Sequence, residues 1–176
     1  MRKIALTTVI LLVIGISSTN AQIAWGIRAG ASYPIVTASR SGGTANIEGR
    51  FGIEAGPVLY YSLQNGFYIS TGAMFSMKSF EDVDPAYYID IPLYAGMNLY
   101  VGVISLYLQT GIYAGIKVAG WEDVKTFTGG LAAMAGINIS KFKIEIGYQY
   151  GHFNIIDKNG LTAKLGSVFL GLSYVF

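Results

Sequence analysis

The feature that most constrains the fold is a strict alternation, seen most clearly in "FKIEIGYQYG" at residues 142–151. Large apolar or aromatic side chains occupy every second position of this stretch. The residues between them are Lys143, Glu145, Gly147, Gln149 and Gly151. A period of two predicts a β-strand with two unlike faces. Because the charged face also carries the glycines, that face has little room. The bulky apolar face is therefore not necessarily the one that faces a core.

The same alternation recurs along the chain and predicts eight strands. Most of them run to about a dozen residues, whereas strands of soluble proteins usually have about five or six. A strand tilted by about 40° climbs roughly 2.5 Å per residue, so about ten residues cross an apolar band about 25 Å tall. The predicted strand lengths therefore fit a bilayer. The predicted segments are 22–33, 48–61, 66–78, 87–98, 105–117, 128–139, 142–154 and 163–176.

The predicted connections alternate in length. Longer polar links follow the odd-numbered strands, and the first of these is "PIVTASRSGGTANI" at residues 34–47. Short links such as "SLQN" and "SK" follow the even-numbered strands. Short periplasmic turns and longer external loops are typical of outer-membrane barrels, and an even strand count predicts that both termini are periplasmic.

Aromatic residues of the apolar face are predicted at the strand ends, with aliphatic or small residues between them. Two such belts match the preference of Trp and Tyr for the headgroup level. The core face of a soluble sandwich or lipocalin-like barrel has no reason to sort aromatics by height. The pattern predicts an all-β fold, a closed eight-stranded antiparallel up-and-down transmembrane β-barrel in a bacterial outer membrane. The predicted belt residues are Trp25, Tyr33, Phe51, Tyr61, Phe67, Phe75, Phe142, Tyr150 and Tyr174, with Phe176 at the end of the last strand.

The N-terminus predicts export. Arg2 and Lys3 precede a short apolar run and then small residues, so we expect a signal peptide over residues 1–21 and a barrel domain over residues 22–176. Without Arg2 and Lys3, the 12 basic and 10 acidic side chains of the chain become equal in number. No basic surface then argues for nucleic acid as a partner. The absence of cysteine excludes disulfides and a lipid-modified N-terminal cysteine.

Charged residues of the other strand face are predicted to form an interior polar network. Eight strands enclose a space just wide enough for side chains, and buried charges must be paired. Hairpin register predicts that Arg28 lies close to Glu54 and that Lys78 lies close to Asp90. The network is interpreted as a plug that fixes the barrel, with an ion path as the alternative. Its predicted members are Arg28, Arg50, Glu54, Lys78, Asp90, Lys143 and Glu145.

Catalytic and metal chemistry are weakly indicated. The one histidine, His152, stands near the external end of the seventh strand without a serine two residues on, so interfacial packing is favoured over use in a lipid-modifying enzyme. Acidic loop residues at 81–84 and 122–123 offer oxygen ligands for Ca²⁺ or Mg²⁺, which could bridge lipopolysaccharide phosphates, but they lack the pattern of a dedicated site. We expect no enzyme activity, no cofactor and no resident metal.

The stretch "YIDIPLYAG" from Tyr88 resembles the "YLEIPLLL" strand of the small outer-membrane β-barrel family that includes the PorT-like proteins of Bacteroidetes. Asp90 stands where that motif has Glu, and "LYLQTGIYAGIKVAG" and the final "VFLGLSYVF" extend the resemblance over residues 22–176. It implies insertion by the barrel-assembly machinery, which reads a last strand ending on Phe176. Within this stretch, Pro92 removes a ladder donor and predicts either a β-bulge or a simple kink.

Two functions remain open from the sequence. The first is a structural or interaction barrel that contacts outer-membrane lipid and lipopolysaccharide and docks a protein partner through its external loops. The second is an accessory component of a transport or secretion system, since PorT-like proteins are associated with secretion. A lipid-modifying enzyme is a remote third. The sequence names no partner.

Overall fold

The computed structural model describes residues 23–40, 43–80, 83–120, 125–152, 154–158 and 161–176. These residues form one continuous antiparallel sheet that closes on itself. The expected signal peptide at residues 1–21 lies outside the described part of the chain and stays a prediction. Within the described residues, no helix is long and apolar enough to cross a membrane.

Ten strand segments and one short 3-10 turn, η1, make up the sheet in the described part of the chain. The segments are β1 (Ile23–Arg40), β2 (Gly43–Ser62), η1 (Gln64–Gly66), β3 (Phe67–Gly72), β4 (Met74–Phe80), β5 (Val83–Val101), β6 (Ile104–Ala119), β7 (Phe127–Ile139), β8 (Phe142–Gly151), β9 (Asn154–Lys158) and β10 (Leu161–Val175).

Two pairs of segments are halves of single strands. β3 and β4 both pair with β2 and with β5, and β8 and β9 both pair with β10. The described residues thus form eight full strands of one barrel wall in up-and-down order. β10 closes the ring on β1 through a register that runs from Gly26↔Val175 to Ser39↔Thr162. The predicted closed eight-stranded barrel is confirmed, and the periplasmic placement of both termini stays a prediction.

The first hairpin is taller than predicted. The expected loop at residues 34–47 is mostly strand, because β1 continues to Arg40 and β2 begins at Gly43. Burial still alternates from Pro34 to Thr37, but the exposed residue Thr37 is polar, so the outer face is no longer uniformly apolar. These residues remain in the sheet through main-chain pairing to both β2 and β10. The prediction was wrong because a strand outside the membrane does not need an apolar face.

A β-bulge in β2 changes the facing of Arg50. The register shifts by one residue between Gly49 and Gly52 against β4, and between Ser32 and Ile35 against β1. Gly49 sits against Pro34, which has no N–H to continue the ladder, so the extra residue is accommodated there.

Arg50 and Phe51 consequently both point outward. The prediction that Arg50 is an interior residue is wrong, because a bulge interrupts the alternation on which it rested.

The wall is also interrupted at Ala73, between β3 and β4. Its two neighbours at this height are prolines: Ala73 N–H donates to the Pro57 carbonyl over 3.2 Å, and the Thr71 hydroxyl donates to the Pro92 carbonyl over 2.7 Å. Register is the same on both sides of the gap.

The predicted bulge at Pro92 is not found. β5 pairs with β6 without a shift across Pro92, so Pro92 does not mark a bulge. The β5–β6 register shifts instead between Tyr87 and Tyr88, where the extra residue is Val118 of β6.

The turns at one end of the barrel are tight. Gly102 at φ 63° and Ser140 at φ 55° begin two-residue hairpins, and Asn65 and Gly66 supply positive φ values in the β2–β3 turn. Two-residue hairpins require such conformations, which match the twist of the strands. This end, which also holds Ile23 and Phe176, is called the short-turn end below.

Candidate functional site

The two faces of each strand meet different surroundings. In β8, Phe142, Ile144 and Ile146 are exposed on the outer wall, while Lys143 and Glu145 are buried inside. Phe142 and Tyr150 bracket an outer band roughly 20 Å tall on this tilted strand. The barrel therefore presents its apolar face outward and encloses its polar face, as a lipid environment requires.

Aromatic side chains cluster at the short-turn end of the outer wall. Trp25 stacks on Phe176 with ring centroids 4.1 Å apart, and Tyr174 contacts both Phe142, at 5.2 Å, and Phe176, at 5.1 Å. The remaining predicted belt residues also face outward or lie half-buried at the wall. These are Tyr33, Phe51, Tyr61, Phe67, Phe75 and Tyr150. The belt also includes Tyr87, which stacks on Phe75 at 5.9 Å and was not predicted.

Inner-face glycines make room for aromatic rings. A Cβ on Gly147 would lie 2.4 Å from Cε1 of Phe169, and a Cβ on Gly96 would lie 2.3 Å from Cζ of Tyr68. Neither distance is possible without moving a ring. Phe169 and Tyr68 are the register partners of Gly147 and Gly96 on the adjacent strands, so these two glycines leave room for the ring of a direct neighbour.

Arg28 is the centre of the interior network. Its Nη2 is 2.6 Å from Glu54 Oε1, and its Nε is 2.7 Å from Glu145 Oε1 as an ion contact. The guanidinium also lies over the Phe169 ring at 4.6 Å. All three charged side chains are at least nine-tenths buried. One cation thus bridges two carboxylates from strands on opposite sides of β1.

Lys78 and Asp90 form a second, separate cluster. Lys78 Nζ lies 3.5 Å from Asp90 Oδ2, and the Ser76 hydroxyl donates to the same oxygen over 2.7 Å. Lys78 also lies over the Tyr88 ring at 5.0 Å. The two pairs expected from hairpin register, Arg28 with Glu54 and Lys78 with Asp90, are those found in the structure.

Lys143 is enclosed by tyrosines. Its Nζ lies 4.1 Å from the Tyr107 ring centroid, 4.5 Å from that of Tyr60 and 5.0 Å from that of Tyr68. The Tyr107 hydroxyl donates to Glu145 over 2.5 Å. This group of Lys143, Tyr60, Tyr68 and Tyr107 is called the tyrosine cage. Strand parity predicted that Lys143 lies inside the barrel, but it could not show that Lys143 meets these tyrosines.

The lumen is closed above the charges, that is, on the side that faces away from the short-turn end. The buried inward residues of β1 and β10 on that side are mostly apolar and at most 7% exposed: Pro34, Val36, Ala163, Leu165 and Phe169, with Ser32 and Ser167 among them. Near Arg28, Asp90 and Tyr94, the centre of the barrel holds a space of only about 10 Å³, roughly enough for one water molecule. The described interior therefore contains no space for a through-channel at this height.

The lumen opens at the short-turn end. A polar space of about 260 Å³, called the vestibule, leads from the strand ends to the tyrosine cage. Asn138 Nδ2 donates to Asn98 Oδ1 over 2.9 Å and to Ser105 Oγ over 2.7 Å on its wall. The vestibule was not predicted. Inward serines and asparagines at several strand ends were visible in the sequence, but the space between them depends on barrel geometry.

A shallow groove of about 560 Å³ lies in the outer wall over β3, β5, β6 and β7. Ala95, Thr110 and Ala133 are register neighbours there, and their small side chains leave a depression beside Phe67 and Leu108. The Thr110 hydroxyl donates to the Ala132 carbonyl over 2.9 Å, so no polar group is left unpaired on this threonine.

The remaining predicted features lie near the end opposite the short turns. His152 is exposed at the end of β8. Asp84 is exposed, whereas the acidic residues at 81–82 and 122–123 lie outside the described residues. Across the part of the chain that the structure describes, no group of three or more His, Asp or Glu side chains converges to hold a metal ion.

Comparison with known proteins identifies the fold. No protein-family model and no curated protein sequence matches the chain. Neisserial surface protein A matches with 16% identity over 90% of this chain and 100% of that chain, at a TM-score of 0.50.

Two further matches have lower TM-scores. The attachment invasion locus protein Ail of Yersinia pestis matches with 18% identity over 87% of this chain and 98% of that chain, at 0.47. The outer membrane protein AlkL in DMPC bilayers matches with 11% identity over 91% and 93%, at 0.49. The match to neisserial surface protein A shows that the chain has the fold of a small bacterial outer-membrane β-barrel, and its belted apolar exterior fits that location.

Proposed function

We propose that this protein is a non-conducting outer-membrane barrel that serves as a rigid anchor and presents its taller rim to a protein partner. The observation that carries the proposal is the closed lumen. Ion contacts of 2.6 and 2.7 Å tie Arg28 of β1 to strands β2 and β8, and mostly apolar side chains of β1 and β10 fill the space above. A barrel filled in this way gains rigidity instead of a pore.

The rim beyond the upper belt supports the docking part of the proposal. β1 and β2 stay paired up to Arg40↔Gly43, and β1 stays paired with β10 up to Ser39↔Thr162. Such a wall, standing above the membrane on three adjacent strands, is a firm surface for a partner. The proposed role is non-catalytic, because five of the buried charged groups, Arg28, Glu54, Glu145, Lys78 and Asp90, are engaged in ion contacts with one another.

A conductance measurement tests the closed interior. We expect refolded protein, verified by its heat-dependent gel migration, to give no single-channel steps in a planar bilayer. A 16-stranded porin in the same bilayer shows that the assay detects open barrels, and heat-unfolded protein serves as the blank. Steady steps from the folded form alone would overturn the proposal.

Site-specific photo-cross-linking in native membranes tests the docking rim. A cross-linker at Thr37 or Asp84, both exposed near the rim, is expected to give a discrete adduct with one protein. The matched control is Ile144, which is exposed on the outer wall within the lipid-facing band. Adducts that are absent at the rim, or equal at all three positions, would count against docking.

An accessory role in secretion is a second candidate, favoured by the resemblance at "YIDIPLYAG" to PorT-like proteins. In the barrel, Tyr88 and Asp90 are buried around Lys78, and Ile91 and Leu93 face outward. These residues serve the barrel itself, so the secretion role depends on the partner. Identification of the rim adduct as a secretion component would favour it.

A further inference from the structure

The vestibule joins a polar entrance to a desolvated cation. Lys143 is only 7% exposed, yet it lies at the inner end of a space of about 260 Å³ that opens at the short-turn end. That space is large enough for several water molecules. Its lining consists of Ala24, Tyr60, Ser62, Tyr68, Asn98, Tyr100, Ser105, Asn138, Ser140, Lys143 and Val175.

The tyrosine cage surrounds the ammonium of Lys143 with three aromatic rings. Ring faces attract a cation through their quadrupole, and an ammonium has three N–H donors. The nearby carboxylate of Glu145 is already in contact with Arg28 and accepts from the Tyr107 hydroxyl. Lys143 is therefore held in place by aromatic rings, with its charge next to the open vestibule.

Other donors surround the same space. Because Asn138 Nδ2 donates to Ser105 Oγ, the Ser105 hydroxyl keeps its own proton for another acceptor. Ser62 and Ser140 bring two more hydroxyls to the lining. Ala24 and Val175 contribute an apolar strip on the opposite side. The vestibule thus offers one positive charge, several hydroxyl donors and a small apolar wall.

We propose that the vestibule is a binding site for a small organic carboxylate, whose anionic group pairs with Lys143. A monoanion matches the single positive charge, whereas a phosphate dianion would bring excess negative charge close to Glu145. The body of the ligand lies between the serine hydroxyls and the strip of Ala24 and Val175. This site is at the opposite end of the barrel from the proposed docking rim, and it needs no path through the lumen.

The test uses N-acetylglycine as the carboxylate probe and N-acetylglycinamide as its neutral counterpart. Binding to folded barrels in lipid nanodiscs is followed by the NMR signals of ¹³C-labelled lysine and tyrosine side chains. We expect saturable shifts of Lys143 and the cage tyrosines with N-acetylglycine, and binding of the amide weaker by at least about tenfold, as for loss of a charged hydrogen bond. Inorganic phosphate is expected to compete poorly.

Two variants with the same chemical change provide the control. Lys143→Met keeps a flexible apolar chain within the cage and is expected to weaken N-acetylglycine binding by at least about tenfold. Lys141→Met removes a charge from the adjacent turn, where Nζ lies 5.7 Å from the Tyr174 ring, and should leave binding unchanged.

Heat-dependent gel migration confirms folding of each variant. If Lys143→Met fails to fold, the comparison of acid and amide on the wild-type protein decides the result. Equal binding of acid and amide, tighter binding of phosphate, no saturable shift, or unchanged binding by folded Lys143→Met would overturn the proposal.

Discussion

The two buried charge clusters are built differently. Arg28 contacts two carboxylates at 2.6 and 2.7 Å and also covers the Phe169 ring. Lys78 reaches one carboxylate at 3.5 Å, and that carboxylate has a second partner in the Ser76 hydroxyl. The planar guanidinium can serve two partners at once, whereas the ammonium acts as a point charge. The Arg28 cluster therefore joins three strands, and the Lys78 cluster joins two.

The difference shows that the stability of the barrel depends more on Arg28 than on Lys78. Removal of Arg28 leaves two carboxylates without their shared cation, because Glu54 and Glu145 are both buried. Removal of Lys78 leaves Asp90 with a hydroxyl donor still in place. Uncompensated buried charge therefore sets the energetic cost of removing Arg28, whereas the cost of removing Lys78 is limited by the Ser76 hydroxyl that still donates to Asp90.

The largest expected effect is that of Arg28→Met. The variant retains apolar volume beside Phe169 but leaves Glu54 and Glu145 facing each other. We expect a loss of about 3–5 kcal/mol in the free energy of unfolding, measured by urea titration in lipid vesicles with heat-dependent gel migration as the readout. A loss below that found for Lys78→Met would contradict the central role of Arg28.

Glu54→Leu is expected to have the next largest effect. Arg28 then keeps Glu145 as its partner at 2.7 Å, so one charge-assisted contact is lost and the interior gains one net positive charge. The expected destabilisation is about 2–3 kcal/mol in the same titration. The double variant Arg28→Met with Glu54→Leu should cost less than the sum of the two, since their side chains interact directly.

Lys78→Met is expected to be milder. Asp90 retains the Ser76 hydroxyl, and the lost ion contact is long at 3.5 Å. A destabilisation of about 1–2 kcal/mol follows from loss of one charge-assisted contact. Ser76→Ala in the Lys78→Met background should then remove the remaining partner of Asp90 and cause a further destabilisation comparable to that of Lys78→Met. If this further destabilisation is no larger than that of Ser76→Ala in the wild-type protein, the two groups act independently.

The smallest expected effect is that of Ile53→Val, next to Glu54 on the same strand. Ile53 faces outward and is 43% exposed on the outer wall, so the change removes one methylene from a lipid contact. The cost should stay below about 1 kcal/mol. Equal unfolding midpoints for Ile53→Val and Glu54→Leu would contradict the assignment of inner and outer faces.

The sequence was sufficient to predict the strands of the barrel wall, but it was insufficient to predict all of the residues inside the barrel. Alternation identified the inward side of Glu54 and the outward side of Ile53, because side-chain direction in a regular strand depends only on parity. Arg50 was misplaced, since the bulge that turns it outward depends on Pro34 in the neighbouring strand.

Contacts across the lumen were also beyond strand parity. The pairing of Arg28 with Glu54 follows from one hairpin, but its contact with Glu145 requires closure of β10 on β1 and the stagger of the whole barrel. The tyrosine cage is similar, because Tyr60, Tyr107 and Lys143 come from three different strands. Signals of period two carry no information about such distances.

The gap at Ala73 weakens the main-chain hydrogen bonding of the barrel wall. In a fully paired barrel, each strand is hydrogen-bonded to both neighbouring strands at every height. Here Pro57 and Pro92 carry no N–H on either side of the gap, while the register is preserved across it. The β3 half carries Tyr68 of the cage, and the β4 half carries Ser76 and Lys78. The main-chain ladder therefore lacks two donors at the height that separates the tyrosine cage from the Lys78 cluster.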